Sequence, residues 1–497
     1  MTDTDLDGLL PELVALLDTA TRENHVPGAA VAVSDGDQVI ELATGVLNLN
    51  TGVAATPDSL FQIGSITKTL TATLTMQLVE AGLVDLDEPA RTYVPELTVS
   101  DPAAAESVTV RQLLSHTSGL PGDVFTDFGR GDDAVLRYVE GLKDHDQMYE
   151  PGRMFSYCNA AYSVLGLLVQ RIRELPSWEA ALREHLIAPL GLTHMAALPE
   201  EALLFRTAVG HLDGPDGRQQ VAPIWQLPRS TAPAGASTAA RARDLIAFAR
   251  AHMNGGLAQD GTRILSEASV AAMREQQVAL PGSGNLLGTG WGLGFALIDR
   301  PGGLVVGHDG GTIGQTSRLR FAPDKGVAFS VLTNGGDALP VFEAVERAVF
   351  GALAGIEAQS RDVPPQPAVP IEAEPFLGSY ADAGQRVDIV RSHDGGLQAV
   401  LTPLGAIAAL TGPDPQYKPL VGYTPSSLLD AEPERGRYLE YAVPEVDEHG
   451  RATHLFLGGR IHTRMSDADA LRYPLLENRP DVRPAIDHSP PADVDLG

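Results

Sequence analysis

The chain has 497 residues, 43% hydrophobic and 20% charged, a globular composition long enough for two or three domains, or for one large unit and a small one. Its formal charge of −28 repels phosphate backbones and anionic lipid heads, so nucleic acid and membrane surfaces are excluded as expected partners. Cys158 is the single cysteine, which excludes an internal disulfide and a cysteine-built structural zinc site.

The opening stretch MTDTDLDGLLPELVALLD begins with three aspartates in its first seven residues, and the first basic residue is Arg22, so it lacks the positive start of a secretory leader. No apolar run reaches the ~20 residues that cross a bilayer, and a cytoplasmic location is the expectation. Leu9, Leu10, Leu13, Leu16 and Leu17 recur at helical spacing. GAAVAVSDGDQVIELATG then reads as two short strands turned at Asp35-Gly36.

FQIGSITKTL, residues 61–70, follows. Ile66, Leu70, Leu74, Leu78 and Val79 predict a helix of about 17 residues, stopped by Gly82, with Ser65 in its first turn. Lys68 is one of only four lysines in the chain. Three residues after Ser65 it shares that helical face, so its amine reaches the hydroxyl. A serine hydroxyl needs such a base to attack a carbonyl, and lysine serves only if burial draws its pKa down from ~10.4. The Ser65 N–H at a helix start also faces a developing oxyanion. By itself the pattern equally describes an N-cap serine and an exposed lysine.

Residues 105–200 read as helix and loop. Within them Tyr157 and Asn159 flank Cys158, just before an apolar helix over 160–173. A phenol can carry a proton, and an Asn amide can hold a substrate carbonyl together with the lysine; Cys158 reads as a small filler. Strands then dominate from GWGLGFALI through GLVVGHDGG, SRLRFAP and GVAFSVLTNGG, closed by the helix ALPVFEAVERAVFGALAG. Strands at both sequence ends around a helical middle predict an α+β domain. In GHDGG, Gly310 and Gly311 let a substrate approach the backbone, and the Gly311 N–H offers a second oxyanion donor, with His308 beside them. RDVPPQPAVP is a semi-rigid spacer. The expected division is a domain over 1–358, a Pro-rich linker over 359–372, a small antiparallel barrel over 373–475 and a flexible tail over 476–497. GSGNLLG at 282–288 lacks the context of a dinucleotide loop, and no HExxH, phosphate loop or G-x-S-x-G around Ser65 occurs, so no metal or cofactor is expected.

Taken together and in order, SITK, QLLSHTSGL, PGRMFSYCNAAYSVLG, PLGLTHM, GWGLGF, GHDGG and FSVLTNGG resemble the penicillin-recognising serine hydrolases. The resemblance is to the branch holding class C β-lactamases, D-alanyl-D-alanine carboxypeptidase-like enzymes and related esterases, and it spans about residues 10 to 355. It implies a β-lactamase/transpeptidase-like domain in which Ser65 is acylated, Lys68 is its proton partner, Tyr157 is the general base and Asn159 contacts a substrate amide. His308, Gly310 and Gly311 then line the strand along which a small-molecule or peptide substrate lies, and His116 in LLSHTSGL is structural. Many members carry lysine where this chain has His308; histidine is mostly neutral at pH 7, so recognition of a free carboxylate by that residue is not expected. The C-terminal segment, from FLGSYAD to LFLGGRIHTRM, resembles the lipocalin-like appendage of some relatives. Arg460 and Arg464 read there as solvated strand-end charges, with an anion contact for the site as the alternative. The implied activity is hydrolysis of an ester or amide through an acyl-enzyme. Acyl transfer to an amine, as in penicillin-binding-protein-type thioesterases, and a non-catalytic scaffold are the alternatives, and loops 120–150 and 205–235 are expected to read the substrate.

Overall fold

A computed structural model describes residues 6–470, apart from 37, 283–286, 359–360, 394 and 467–468. The Pro/Asp-rich tail expected to be flexible lies outside the described residues. The first domain is built on a nine-stranded antiparallel sheet. Its strands in chain order are Gly28–Ser34 (β1), Val39–Asn48 (β2), Val53–Ala54 (β3), Val278–Ala279 (β4), Gly290–Trp291 (β5), Ala296–Arg300 (β6), Gly303–Gly311 (β7), Thr316–Ala322 (β8) and Val327–Thr333 (β9). They are arranged β3-β2-β1-β9-β8-β7-β6-β5-β4, so the sheet is indeed assembled from distant segments around a helical middle. β1 is buried along its whole length, as an apolar run in a sheet covered on both faces must be.

One face of the sheet is covered by Leu6–Glu23 (α1) and Ala338–Val349 (α4), which share a core with Val31, Val33, Phe329 and Val331. The other face packs on the helical middle, whose central elements are Thr67–Glu80 (α2) and Asn159–Ile172 (α3). α2 is buried nearly all round although five of its residues are threonines. Four of the five hydroxyls find carbonyls: Thr69 donates to Ile66 O, Thr73 to Thr69 O and Thr75 to Thr71 O within the helix, and Thr71 reaches Pro233 O. A helix so enclosed holds its first turn in a fixed place.

Three local readings are refined. Ser65 sits in a separate 3₁₀ turn, Gly64–Ile66, that leads into α2, because Gly64 takes a left-handed φ of 48°. Asn159 begins α3, since the extended Cys158 caps that helix, its sulfur accepting from Ala161 N at 3.3 Å. GWGLGFALI is two strands joined by a turn, with Gly292 N donating to Phe295 O and Gly294 at a φ of 93°.

The second domain is a closed eight-stranded antiparallel barrel. Its strands are Gly378–Ala381 (β10), Gln385–Arg391 (β11), Leu397–Pro403 (β12), Gln416–Thr424 (β13), Ser427–Asp430 (β14), Glu440–Ala442 (β15), His454–Leu457 (β16) and Arg460–Arg464 (β17). β17 closes the ring onto β10. The interior is filled by its own side chains, among them Tyr380, Val387, Leu401, Leu428, Tyr441 and Leu455. A separate apolar cluster joins the domains: Tyr149, Met154, Phe155, Tyr157, Trp291 and Ala296 of the first meet Ala442, Phe456 and Ile461 of the barrel.

Candidate active site

Ser65 is held by backbone packed closer than any side chain would permit. A Cβ on Gly64 would lie 2.5 Å from the Gly311 nitrogen, one on Gly310 would lie 1.9 Å from Ile63 O, and one on Gly235 would meet Gly64 O and Ser65 N. Three glycines therefore let the turn nest against the end of β7, and Ser317 Oγ pins it by donating to Ile63 O at 2.8 Å. The Gly311 backbone nitrogen is thereby brought against the turn that carries Ser65, which keeps the two candidate oxyanion donors close together. While its neighbours in the turn are buried, Ser65 remains partly open to a cavity of about 170 Å³, lined also by Tyr157, Leu287, Trp291, His308 and Arg460.

Lys68 is fully buried. Its Nζ donates to Ser65 Oγ at 3.0 Å, Asn159 Oδ1 at 2.7 Å and Ala234 O at 2.7 Å. Three acceptors match the three N–H bonds of an ammonium. Loss of one proton leaves a lone pair for the longest of these contacts, the one to Ser65. Burial holds the amine well below its ordinary pKa, and the nearby Arg460 guanidinium lowers it further. Lysine can only donate and Asp123 accepts, which fixes the Asn159 amide: Oδ1 faces Lys68 and Nδ2 donates to Asp123 Oδ1 at 2.7 Å. One Asn159 N–H is left over for a substrate.

Tyr157 stands over Lys68, with Nζ 4.9 Å from the ring centre. Burial pushes the phenol above its ordinary pKa, opposed by a hydrogen bond from Ser65 and by Arg460. The phenol oxygen is 3.4 Å from His308 Nε2. His308 Nδ1 is bonded to Asp309 O at 2.5 Å. A carbonyl only accepts, so Nδ1 carries the hydrogen and Nε2 receives the phenol O–H. Burial and the positive Lys68 drop the His308 pKa to about 3, so the imidazole is neutral, as the sequence suggested. His116 stacks on Tyr157 with ring centres 4.4 Å apart, and its Nδ1 accepts from Cys158 N at 3.0 Å. Trp291 closes the aromatic box against His116, Tyr157 and His308.

Ser65, Lys68, Tyr157, Asn159, His308, Gly310 and Gly311 are thus all brought together. The reading of Arg460 and Arg464 as solvated charges is corrected. Arg460 is bound to Asp123 through Nε and through Nη2, the latter at 3.0 Å, and its guanidinium lies 5.0 Å from the Tyr157 ring centre. It is desolvated because the β16–β17 turn inserts into the first domain: Tyr157 N donates to Gly459 O at 2.8 Å and Ile461 N to Ser156 Oγ at 3.1 Å. Arg464 turns inward instead, donating to Leu377 O at 2.9 Å and to Tyr380 Oη at 2.6 Å. Sequence reasoning missed Asp123 and Trp291. No motif marks an aspartate in an irregular loop, and nothing local joins it to a barrel residue.

The family model described as Beta-lactamase matches residues 9–354. The chain is 45% identical over 368 residues to Penicillin-binding protein 4 of Amycolatopsis lactamdurans, covering 74% of this chain and 96% of that protein. Among solved structures, SurE in complex with D-Leu superposes with a TM-score of 0.71 at 27% identity, over 92% of this chain and 100% of SurE, a span that takes in the barrel. D-amino acid amidase from Ochrobactrum anthropi SV3, complexed with L-phenylalanine amide, superposes with a TM-score of 0.58 at 26% identity, over 70% of this chain and 99% of the amidase. Its extent matches the first domain alone.

Proposed function

The chain belongs to the beta-lactamase family of serine hydrolases, and we propose that it cleaves an ester or amide through an acyl-enzyme formed on Ser65. The observation that carries the proposal is the caged amine, buried and 3.0 Å from the Ser65 hydroxyl. In this reading neutral Lys68 takes the proton as Ser65 Oγ attacks the carbonyl carbon. The oxyanion is held by the Ser65 and Gly311 N–H groups. Collapse expels the alcohol or amine, protonated by the Tyr157 phenol, which recovers its proton from Lys68. Water attacks the ester intermediate in the reverse order and frees Ser65. The resemblance assigned the base role to Tyr157. The opposite displacements of the two pKa values, amine down and phenol up, favour the division used here.

A D-configured amino-acid unit at the scissile bond is the favoured substrate. The likeness to a D-amino acid amidase and to SurE, solved with D-Leu, supports this. A second reading, transfer of the acyl group to an amine, is favoured by the aromatic and aliphatic wall of Tyr157, Trp291, Leu287 and Ala296, which hydrates an incoming water poorly. The test is intact-mass measurement after exposure to a fluorophosphonate and to D- and L-amino-acid p-nitrophenyl esters. One covalent adduct and turnover are expected, both lost in Ser65→Ala; an adduct that persists in that variant rejects the proposal. Adding D-amino-acid amines then separates hydrolysis from transfer by product mass.

A further inference from the structure

The short helix Val110–Leu114 ends at Ser115, and His116 follows it at a left-handed φ of 58°. Thr117 N closes the turn onto Gln112 O at 2.9 Å, an ending in which glycine is the ordinary choice because it has no Cβ to strain. A histidine there needs side-chain contacts that offset the strain. Those contacts converge on Tyr157. We propose that His116 is a positioning residue whose ring sets the angle of the Tyr157 phenol toward Ser65.

Two observations carry the proposal. The first is in the backbone: Ser156 N donates to His116 O at 2.9 Å and Cys158 N to His116 Nδ1 at 3.0 Å. One residue thus takes both N–H groups that flank Tyr157, while Tyr157 N donates to Gly459 O. Because Nδ1 accepts, Nε2 carries the ring hydrogen, and it is buried without an acceptor. The imidazole is therefore oriented by the bond from Cys158 and by the rings packed round it. The second observation is that packing: the His116 and Tyr157 ring centres are 4.4 Å apart, and Trp291 at 5.0 Å and Tyr162 at 5.1 Å also enclose the imidazole. Hydrogen bonds alone do not fix the phenol. Its contact with His308 Nε2 is long, at 3.4 Å, and its other partner, Ser65, is consumed by acylation. A displacement of about 1 Å at a reacting group can lower a rate a hundredfold. The stack supplies the restraint that these bonds lack. Burial, together with Lys68, His308 and Arg460, keeps the imidazole neutral, so it sets no further positive charge against the phenol.

The proposal rests on the acyl-enzyme reading, in which the phenol protonates the leaving group, and the experiment separates the two. A p-nitrophenolate departs without a proton and a methoxide needs one, so D-leucine methyl ester depends on a well-placed phenol and D-leucine p-nitrophenyl ester does not. His116→Asn removes the ring but keeps an acceptor for Cys158 N and a residue that tolerates the left-handed φ. It is expected to lower kcat at least tenfold on the methyl ester with KM changed less than about threefold, and to change the p-nitrophenyl ester less than about threefold. His116→Phe keeps a ring and loses the acceptor; it should retain most of the methyl-ester rate while lowering the urea midpoint. In a Tyr157→Phe background, His116→Asn should add less than about a twofold effect, as for a residue acting through the phenol. Equal losses on both esters, or a full additional loss in the Tyr157→Phe background, overturn the positioning role. Crystal structures of the wild type and His116→Asn decide the same point without turnover: the Tyr157 ring should move away from His308 in the variant, and an unmoved ring overturns the proposal. A wild type that forms no Ser65 adduct overturns the acyl-enzyme reading and leaves the crystal comparison to decide His116.

Discussion

His308 shows how a single residue ties the site to pH. Its neutral form is enforced by burial and by Lys68, with a native pKa of about 3 against ~6.5 in an unfolded chain. Between those values the unfolded chain binds a proton that the native state refuses. Stability is therefore fully present above pH 6.5 and is lost as pH falls toward 3, at up to about 1.4 kcal/mol per pH unit from this group. His252, held at about 3, and His116, held well below its ordinary value, act in the same direction. Urea midpoints measured from pH 7 to pH 4 should fall steeply in the wild type. In His308→Asn the fall should be shallower, with the other two histidines supplying the remainder. An unchanged slope in that variant would show that His308 is charged in the native protein.

At the scale of elements, the turn between β16 and β17 matters most. It delivers the Gly459 carbonyl to Tyr157 and Arg460 to Asp123, and Asp123 in turn holds Asn159 against Lys68. Arg460→Ala leaves Asp123 a buried charge without its partner, a change that costs about 3–5 kcal/mol when a buried pair is broken. It should lower kcat at least tenfold. Arg460→Lys restores the charge but not the two-pronged bond, and should recover part of that loss. Single-turnover acylation rates on the p-nitrophenyl esters measure both; identical rates in all three proteins would dismiss the turn as a bystander. How legible each part was follows from sequence separation. Ser65 and Lys68 lie one helical turn apart, and Gly310 and Gly311 follow directly on the strand carrying His308, so local spacing and the motif order exposed them. Arg460 and Asp123 are 337 positions apart. Neither carries a pattern, and only the packing of two finished domains brings them together. Nor does any spacing announce how deeply α2 is enclosed: five of its residues are threonines, and four of their hydroxyls find carbonyls without leaving the core.

For the molecule as a whole, the joint between the domains reaches the candidate active site, since the barrel bonds both Tyr157 and Asp123. A chain ending at residue 372 would bare Tyr149, Met154, Phe155 and Trp291, which now meet the barrel, and would strip Tyr157 of its backbone partner. Such a fragment should bind a dye specific for exposed apolar surface and lack turnover of the p-nitrophenyl esters. A soluble fragment with full turnover would refute this account of the joint. The barrel's own lumen is packed solid, so whatever it contributes comes from its outer rim. That rim is also synthesised long after Ser65, because its hairpin lies in the second domain. Under the proposed mechanism a nascent polypeptide thus carries Ser65 beside an unfinished tyrosine pocket, and the competence to be acylated arrives only when that hairpin docks.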